Sequence, residues 1–179
     1  MPDYIQTLDE AVLFFIQEHL KSPVLDRSMV FITSLGNAGL IWIVISLLLL
    51  FMKRYQKCGL LVLCTFSLSR FIGDNLLKPL INRVRPCNKF PEIAVLIHAP
   101  NSPSFPSGHT MVGFACATVL YHYNQRLGLC GFVIASLIAF SRMYLFVHYP
   151  TDILGGIILG ILTSKVILSC IASKRGTAE

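Results

Sequence analysis

The sequence predicts an all-α integral membrane protein, a bundle of about five transmembrane helices preceded by an N-terminal interfacial amphipathic region. Its composition is the first indication: of 179 residues, 54% are hydrophobic and 13% are charged, and the mean hydropathy is +0.67. A soluble domain is about a quarter charged. In addition, several apolar runs are long enough, and contain few enough charges, to cross a bilayer.

The distribution of charge and cysteine narrows the function class. The net charge of +6 comes from basic residues at the ends of apolar runs, which indicates lipid head groups and phosphate as partners rather than nucleic acid. The six cysteines form no C-x-x-C pair, so a zinc or redox site has little support. No metal site and no cofactor are expected. Acidic residues among the first twenty positions do not fit a cleavable signal peptide, so the first span is expected to target the chain.

We interpret residues 1–179 as one domain, with interfacial helices in 1–36 and the transmembrane bundle in 37–175. Residues 4–20 repeat apolar side chains at helical spacing but are too polar to cross a bilayer, which favours an interfacial helix. Ser22-Pro23 ends that helix, a weaker amphipathic segment follows in 24–35, and a glycine-containing turn follows in 36–39.

Five apolar stretches are predicted as spans, namely 40–52, 58–77, 110–123, 127–140 and 150–172. The second contains Arg70, Asp74 and Lys78 at i, i+4 and i+8, so these groups share a helix face and can pair. Asp74 is interpreted as orienting Lys78, with an internal ion-pair ladder as the alternative. The connection 87–105 is long, and loops of that length are often functional.

Five spans place the loops on alternating sides of the membrane. One side then carries the basic residues of the short loops and the C-terminus, which are Lys53, Arg54, Lys57, Arg126, Lys174 and Arg175. The positive-inside rule assigns that side to the cytoplasm of a multi-pass cell-membrane protein. The polar segments in 78–109 and 141–152 then lie together on the extracytoplasmic face. Their own basic residues require a bound anion for this assignment to hold.

Three polar segments interrupt the apolar sequence: segment one is 78–86, segment two is 106–109 and segment three is 141–152. In segment one, Lys78 and Arg85 are two long cations that can converge on an anion, with Arg85 offering a bidentate fork to phosphate. Taken alone, the pair is also consistent with basic side chains extending to the membrane surface.

Segment two, Pro106-Ser107-Gly108-His109, precedes an apolar helix. Backbone N–H groups at a helix start bind anions, Gly108 allows close approach, and the Ser107 hydroxyl adds a donor. His109 can donate a proton to a leaving oxygen. A simple N-cap turn with a hydrogen-bonded histidine is the alternative.

Segment three contains Arg142, His148 and Asp152. A carboxylate four residues after an imidazole can hold one ring nitrogen and leave the other free to attack phosphorus. Arg142 can hold the phosphoryl oxygens. An interfacial histidine with a capping aspartate is the alternative for this pair. Together the three segments supply cations, an anion-binding backbone, a nucleophile and an acid, which suffices for phosphoryl transfer without a metal.

These motifs, Lys78-x6-Arg85-Pro86, Pro106-Ser107-Gly108-His109 and Ser141-Arg142-x5-His148-x3-Asp152, resemble the three-part signature of the type 2 phosphatidic acid phosphatase family. That family includes vanadium haloperoxidases and glucose-6-phosphatase. The resemblance implies a metal-independent phosphatase at the outer membrane face. His148 would attack phosphorus, Asp152 would orient it, and His109 would protonate the leaving group. Phosphate would be held by Lys78, Arg85, Ser107, Gly108 and Arg142.

Small bacterial members of that family act on undecaprenyl diphosphate, phosphatidylglycerol phosphate or phosphatidic acid, so a lipid phosphate in the bilayer is the expected partner. The sequence contains no residue that distinguishes among these lipids. Two other classes remain open: a non-catalytic protein that binds or moves anionic lipid, and a vanadate-dependent peroxidase. The peroxidases of the family are large and soluble, unlike this chain.

Overall fold

The computed structural model describes the backbone of residues 3–176 and the side chains of 3–171. The helices are α1 (Asp3–His19), α2 (Pro23–Leu35), α3 (Leu40–Phe51), α4 (Gln56–Arg70), α5 (Lys78–Ile81), α6 (Pro86–Lys89), α7 (Gly108–Tyr123), α8 (Gln125–Tyr144) and α9 (Pro150–Gly176). A 3₁₀ turn, Asn37–Gly39, joins α2 to α3, and a π-helical segment, Phe71–Leu77, joins α4 to α5. Residues 3–176 contain no strand. The side chains of Lys174 and Arg175 lie outside the described residues.

The predicted helical membrane bundle is confirmed. Within the described residues, three segments are long and apolar enough to cross a membrane: Gln56–Lys89, Gln125–Tyr144 and Pro150–Ile171. A fourth crossing results if α2 and the Asn37–Phe51 segment, bent by 45°, count as one span. Counting α7 as a further crossing gives the predicted number of about five, but α7 has only 16 residues. At 1.5 Å per residue, α7 is about 24 Å long, shorter than a typical hydrocarbon core.

Helix α7 forms the centre of the bundle. It packs against α4, α8 and α9, and all of its residues from Thr110 to Ala117 are buried. A helix that is surrounded on all sides needs no polar face, which explains why α7 has little amphipathic pattern. Small residues allow the close packing: a Cβ atom at Gly160 of α9 would lie 2.3 Å from the Met111 carbonyl oxygen.

The three polar segments lie at one end of this bundle. Helices α3, α7 and α9 begin at that end, while α8 and the helical segment that starts with α4 finish there. At the other end the α3–α4 and α7–α8 turns meet, and Asn124 Nδ2 donates a hydrogen bond to the Tyr55 hydroxyl over 3.3 Å. The basic residues Lys53, Arg54 and Arg126 belong to these turns. This is the separation that the alternating topology predicts.

Helices α1 and α2 cover the end of the bundle that carries the polar segments. The Ser22 N–H donates to the Tyr144 hydroxyl over 3.3 Å, and Arg142 Nη1 donates to Thr33 Oγ1 over 2.6 Å. Ser22, just before α2, and Thr33, near its C-terminal end, contact residues that are only two positions apart at the end of α8. Helix α2 therefore crosses the end of α8. That these helices lie in the membrane interface remains a prediction.

Helix α1 differs from the prediction on its inner face. Its outer side exposes Tyr4, Leu8 and Phe15, as expected of an interfacial helix, but its inner side buries Asp9 beside Leu13. The sequence pattern did not indicate a buried carboxylate, because Asp9 reads as one of several charges in a polar segment. Its partner is described below.

Candidate active site

A π-helical segment, Phe71–Leu77, leads from α4 into segment one. The Asp74 carboxylate is 3.0 Å from Arg70 Nη2 and 2.7 Å from Lys78 Nζ. The three groups therefore pair as their spacing predicts, which fits both the orienting role of Asp74 and an internal ion-pair ladder. Lys78 is buried with 8% of its surface exposed. Short π-helical insertions are frequent at functional sites because they redirect side chains. Here the insertion lies immediately before Lys78.

The chain then leaves the helix and turns towards Arg85. Asn82 adopts a left-handed backbone conformation, with φ of 45°, which ends α5 after one turn. Arg85 becomes the N-cap of α6 and is 2% exposed.

The long connection between α6 and α7 fixes the Arg85 guanidinium. Arg85 Nε donates to the Ser102 carbonyl oxygen over 2.6 Å, and Nη2 donates to Ser102 Oγ over 3.1 Å. Nη1 donates to the Val147 carbonyl oxygen over 2.9 Å and lies 3.0 Å from His148 Nε2. Residues 90–107 therefore position a cation beside a histidine of segment three, a role for this loop that the sequence did not specify.

Segment three turns sharply after α8. The Val147 N–H bonds to the Arg142 carbonyl oxygen and the Phe146 N–H bonds to that of Met143, which is a Schellman C-cap. The residue that adopts the left-handed conformation in this motif is normally glycine, but here it is Phe146, with φ of 59°. Its ring packs with Phe14 and Phe90. Aromatic packing thus holds a strained turn that brings His148 back towards Arg142.

His148 is 1% exposed, and both of its ring nitrogens face a partner. Nδ1 lies 3.5 Å from Asp152 Oδ2, and Nε2 faces Arg85. Arginine can only donate, so Nε2 accepts and the proton is assigned to Nδ1. Burial, together with the positive charges of Arg85 and Arg142, lowers the pKa of His148 to about 3, although Asp152 acts in the opposite direction. The imidazole is therefore neutral at physiological pH and retains its lone pair on Nε2.

Asp152 is fully buried behind His148. Its Oδ2 accepts from the Ser104 hydroxyl over 2.5 Å and from the Tyr149 N–H over 2.9 Å, while Oδ1 accepts from Arg83 Nη1 over 2.6 Å. Its backbone carbonyl oxygen accepts from the Ser107 N–H over 3.1 Å. The motif analysis singled out neither Ser104 nor Arg83.

Segment two supplies the start of α7. A Cβ atom at Gly108 would lie 3.7 Å from Lys78 Nζ, so the Lys78 ammonium is next to the first turn, whose N–H groups lack intrahelical partners. The His109 ring rests against Gly36, where a Cβ atom would lie 2.6 Å from Cδ2, and its Nε2 is 3.3 Å from Asn37 Oδ1. Ser107 is fully buried, and its hydroxyl accepts from Thr110 over 2.9 Å.

A cavity of about 160 Å³ joins the three segments. Six of the eight sequence-predicted site residues line it: Lys78, Arg85, Gly108, His109, Arg142 and His148. The remaining two do not, because Asp152 lies behind His148 and Ser107 is buried at the N-cap of α7. The apolar part of the wall includes Trp42, Phe66 and Val112. Residues distant in sequence are thus brought to one small, cationic space.

Arg142 lines this cavity, and its side chain has one hydrogen-bond partner among the described residues. It is 3% exposed, donates to Thr33 Oγ1, and has a buried Nε without a hydrogen-bond partner. Buried donors are nearly always satisfied, and an anion in the adjacent cavity would meet this requirement. In the described part of the chain, no group of three or more His, Cys, Asp or Glu side chains is placed to hold a metal ion.

The chain is similar to known membrane lipid phosphatases. Residues 58–175 match the PAP2 superfamily, a range that contains every predicted site residue and excludes α1 and α2. The chain is 34% identical to phosphatidylglycerophosphatase B of Bacillus subtilis over 88% of this chain and 80% of that protein. It is 30% identical to the undecaprenyl-diphosphatase of Sulfolobus acidocaldarius over 83% of this chain and 71% of that protein.

The fold also matches a solved structure. The crystal structure of a transmembrane PAP2-type phosphatidylglycerolphosphate phosphatase from Bacillus subtilis superimposes with a TM-score of 0.78 and 33% sequence identity. The match covers 97% of this chain and 89% of that one. Helices α1 and α2 are thus largely included in the shared fold, although they precede the matched sequence range.

The strained turn at Phe146 gives a testable prediction. Phe146→Ala removes the buried ring but keeps a side chain in the left-handed conformation, and we expect a loss of about 3–5 kcal/mol in unfolding free energy. Phe146→Gly removes one more carbon but relieves the backbone, which is worth about 1–2 kcal/mol. The glycine variant should therefore have the higher Tm in detergent. A lower Tm for glycine than for alanine would show that the turn is not strained.

Proposed function

The chain belongs to the PAP2 superfamily, and from this premise we propose that it is a membrane lipid phosphatase that acts through a phospho-histidine intermediate. Its substrate class is a lipid phosphomonoester or diphosphate, such as undecaprenyl diphosphate, phosphatidylglycerol phosphate or phosphatidic acid. The observation that carries the proposal is a neutral, buried His148 backed by Asp152, on the wall of a cavity lined by Lys78, Arg85 and Arg142.

Substrate binding begins with charge neutralisation. The phosphate enters the cavity and accepts hydrogen bonds from Arg85, Arg142 and Lys78, and from the free N–H groups at the start of α7. Arg85 Nη1 moves from His148 Nε2 to a phosphoryl oxygen, which frees the lone pair of that nitrogen. The lone pair of the nucleophile is therefore available only while a phosphate is bound.

Chemistry then proceeds in two displacements. In the first, His148 Nε2 bonds to phosphorus while the bond between phosphorus and the oxygen of the leaving lipid or lipid phosphate breaks. His109, protonated once the phosphate dianion is bound, gives its proton to that oxygen. In the second, His109 takes a proton from water, the water oxygen bonds to phosphorus, and the nitrogen–phosphorus bond breaks. Inorganic phosphate leaves and His109 is again protonated. Asp152 holds the Nδ1 proton and stabilises the positive charge of the phosphorylated ring.

The position of the cavity suits a lipid. It lies at the end of an apolar bundle, so a head group can enter the cavity while the hydrocarbon chains remain in the bilayer. The basic turns with Lys53, Arg54 and Arg126 lie at the opposite end. By the positive-inside rule we place that end in the cytoplasm and the site on the extracytoplasmic face of the cell membrane.

The arrangement favours catalysis over the alternatives. A protein that only bound or moved anionic lipid would need the three cations, but not a neutral imidazole held by a buried carboxylate. A vanadate-dependent peroxidase would not need its site at the end of membrane-spanning helices.

The nucleophile is tested by His148→Ala. Purified in detergent, this variant should release phosphate from undecaprenyl diphosphate or phosphatidic acid at less than about a thousandth of the wild-type rate. His122→Ala, at an exposed histidine at the end of α7, is the control and should retain full activity. The wild type should be equally active with EDTA. Activity in His148→Ala, or loss of activity with EDTA, would contradict the mechanism.

The role of His109 is tested through the leaving group. His109→Ala should slow hydrolysis of a lipid phosphate by about 10²–10⁴-fold, because the lipid oxygen is expelled poorly without a proton. With p-nitrophenyl phosphate, whose leaving group needs no acid, the first displacement should be much less impaired. The burst of p-nitrophenolate in rapid-mixing experiments measures this step. An equal loss of that step with both substrates would exclude His109 as the acid.

A further inference from the structure

The proposed mechanism leaves one buried ionic group unused. Asp9 of α1 is 2% exposed and lies outside residues 58–175, the range that matches the family. Its Oδ1 accepts from the Thr151 N–H over 2.9 Å, and its Oδ2 accepts from the Thr151 hydroxyl and from Arg83 Nη2, the latter over 2.6 Å. A carboxylate buried this deeply is costly unless its charge is compensated. Arg83 provides the compensating charge.

Arg83 joins Asp9 to the active site. Its Nη2 contacts Asp9 and Gln6, while its Nη1 contacts Thr151 and the Asp152 carboxylate over 2.6 Å. The Arg83 guanidinium also lies 4.0 Å from the centre of the Tyr149 ring, which limits its movement. An unbroken chain of contacts therefore runs from Asp9 through Arg83 and Asp152 to His148.

The charges of Asp9, Arg83 and Asp152 alternate in sign along this series of contacts. Asp9 and Asp152 are negative and Arg83 is positive, so the buried triad has one net negative charge. If Asp9 were neutral, the Arg83 charge would cancel that of Asp152, and the triad would be neutral. Charges interact strongly in a buried environment, where water does not screen them. The charge of Asp9 therefore changes the net charge of the buried triad behind His148.

We propose that Asp9 is a positioning residue for the phosphatase reaction, acting through Arg83 on Asp152. It leaves one net negative charge behind His148, which stabilises the positive charge that develops on the imidazole as Nε2 bonds to phosphorus. It also holds the Arg83 fork, so that Arg83 does not draw the Asp152 carboxylate away from His148 Nδ1. This inference rests on the proposed function, since it assigns Asp9 to the nucleophile of that mechanism.

A merely structural role for Asp9 predicts a different behaviour. Helix α1 is held independently by Leu13 and Ile16, which are buried, and by the Glu10–Lys89 ion pair at 2.5 Å. If Asp9 only anchored α1, neutralising it would lower stability and leave the turnover of the folded protein unchanged. If it acts on His148, turnover falls in protein that remains folded.

The test compares Asp9→Asn with Asp26→Asn. Asp26 lies on α2 and accepts a hydrogen bond from the Tyr144 hydroxyl over 2.7 Å, but it does not contact Arg83 or Asp152. With undecaprenyl diphosphate or phosphatidic acid as substrate, Asp9→Asn should lower kcat about tenfold, with KM changed less than about twofold, since Asp9 is remote from the phosphate. Asp26→Asn should retain wild-type kcat. Asp9→Glu, which keeps the charge, should recover most of the loss.

A double variant separates charge from packing. Arg83→Gln alone should lower kcat, because two buried carboxylates without a cation between them share a proton, which removes negative charge from Asp152. Asp9→Asn with Arg83→Gln restores one net negative charge, so its loss should be smaller than the product of the two single losses. If Asp9→Asn does not fold, the double variant, which leaves no unpaired buried cation, is compared with Arg83→Gln. Because it restores the single negative charge behind His148, its kcat should be the higher of the two, and a kcat no higher than that of Arg83→Gln would contradict the inference.

Several outcomes would overturn the inference. These are a kcat for Asp9→Asn equal to that of Asp26→Asn, a loss confined to KM or to Tm, or single losses that multiply in the double variant. The same assays include His148→Ala. If His148→Ala is inactive and Asp9→Asn is unimpaired, the inference fails and the proposed function stands. If His148→Ala remains active, the proposed function itself fails.

Discussion

Burial of the Asp152 carboxylate is the constraint on which the rest of the site depends. A buried anion is costly unless several donors satisfy it, and the donors of Asp152 come from separate parts of the chain. Ser104 belongs to the long connection before α7, Arg83 to the turn after α5, and the Tyr149 N–H to the loop before α9. Satisfying this one carboxylate brings these parts of the chain together, and His148 is placed by the same arrangement.

The cations impose the complementary requirement. Arg85 and Arg142 are almost fully buried at one cavity, and like charges in such a place repel each other. Protein oxygens satisfy most donors of Arg85, but Arg142 has an orphaned Nε. A bound phosphate would stabilise such a site, because the same anion neutralises the two cations and accepts a hydrogen bond from Arg142. Binding and charge neutralisation are therefore the same event. The proposed movement of Arg85 from His148 to the phosphate follows from this.

Much of this architecture could be predicted from sequence, because the signals are local. Hydropathy indicated the helical membrane bundle, and motif spacing identified the polar segments that the structure brings to one cavity. The parts that were missed depend on contacts between distant segments. Ser104 lies in a loop without periodicity, Arg83 resembles an ordinary surface charge, and Asp9 resembles one of several acids on an interfacial helix. No local pattern shows that Ser104 and Arg83 contact Asp152 or that Asp9 contacts Arg83. The π-helical insertion after α4 and the left-handed Phe146 were also invisible, since both are set by packing.

The stereochemical course at phosphorus tests the central claim most directly. A thiophosphate monoester made chiral with oxygen isotopes would be hydrolysed in isotopically labelled water, and the configuration of the released thiophosphate would be determined. Two successive in-line displacements, first by His148 and then by water, predict net retention of configuration. Net inversion would mean that water attacks the lipid phosphate in a single displacement, and it would contradict the phospho-histidine mechanism.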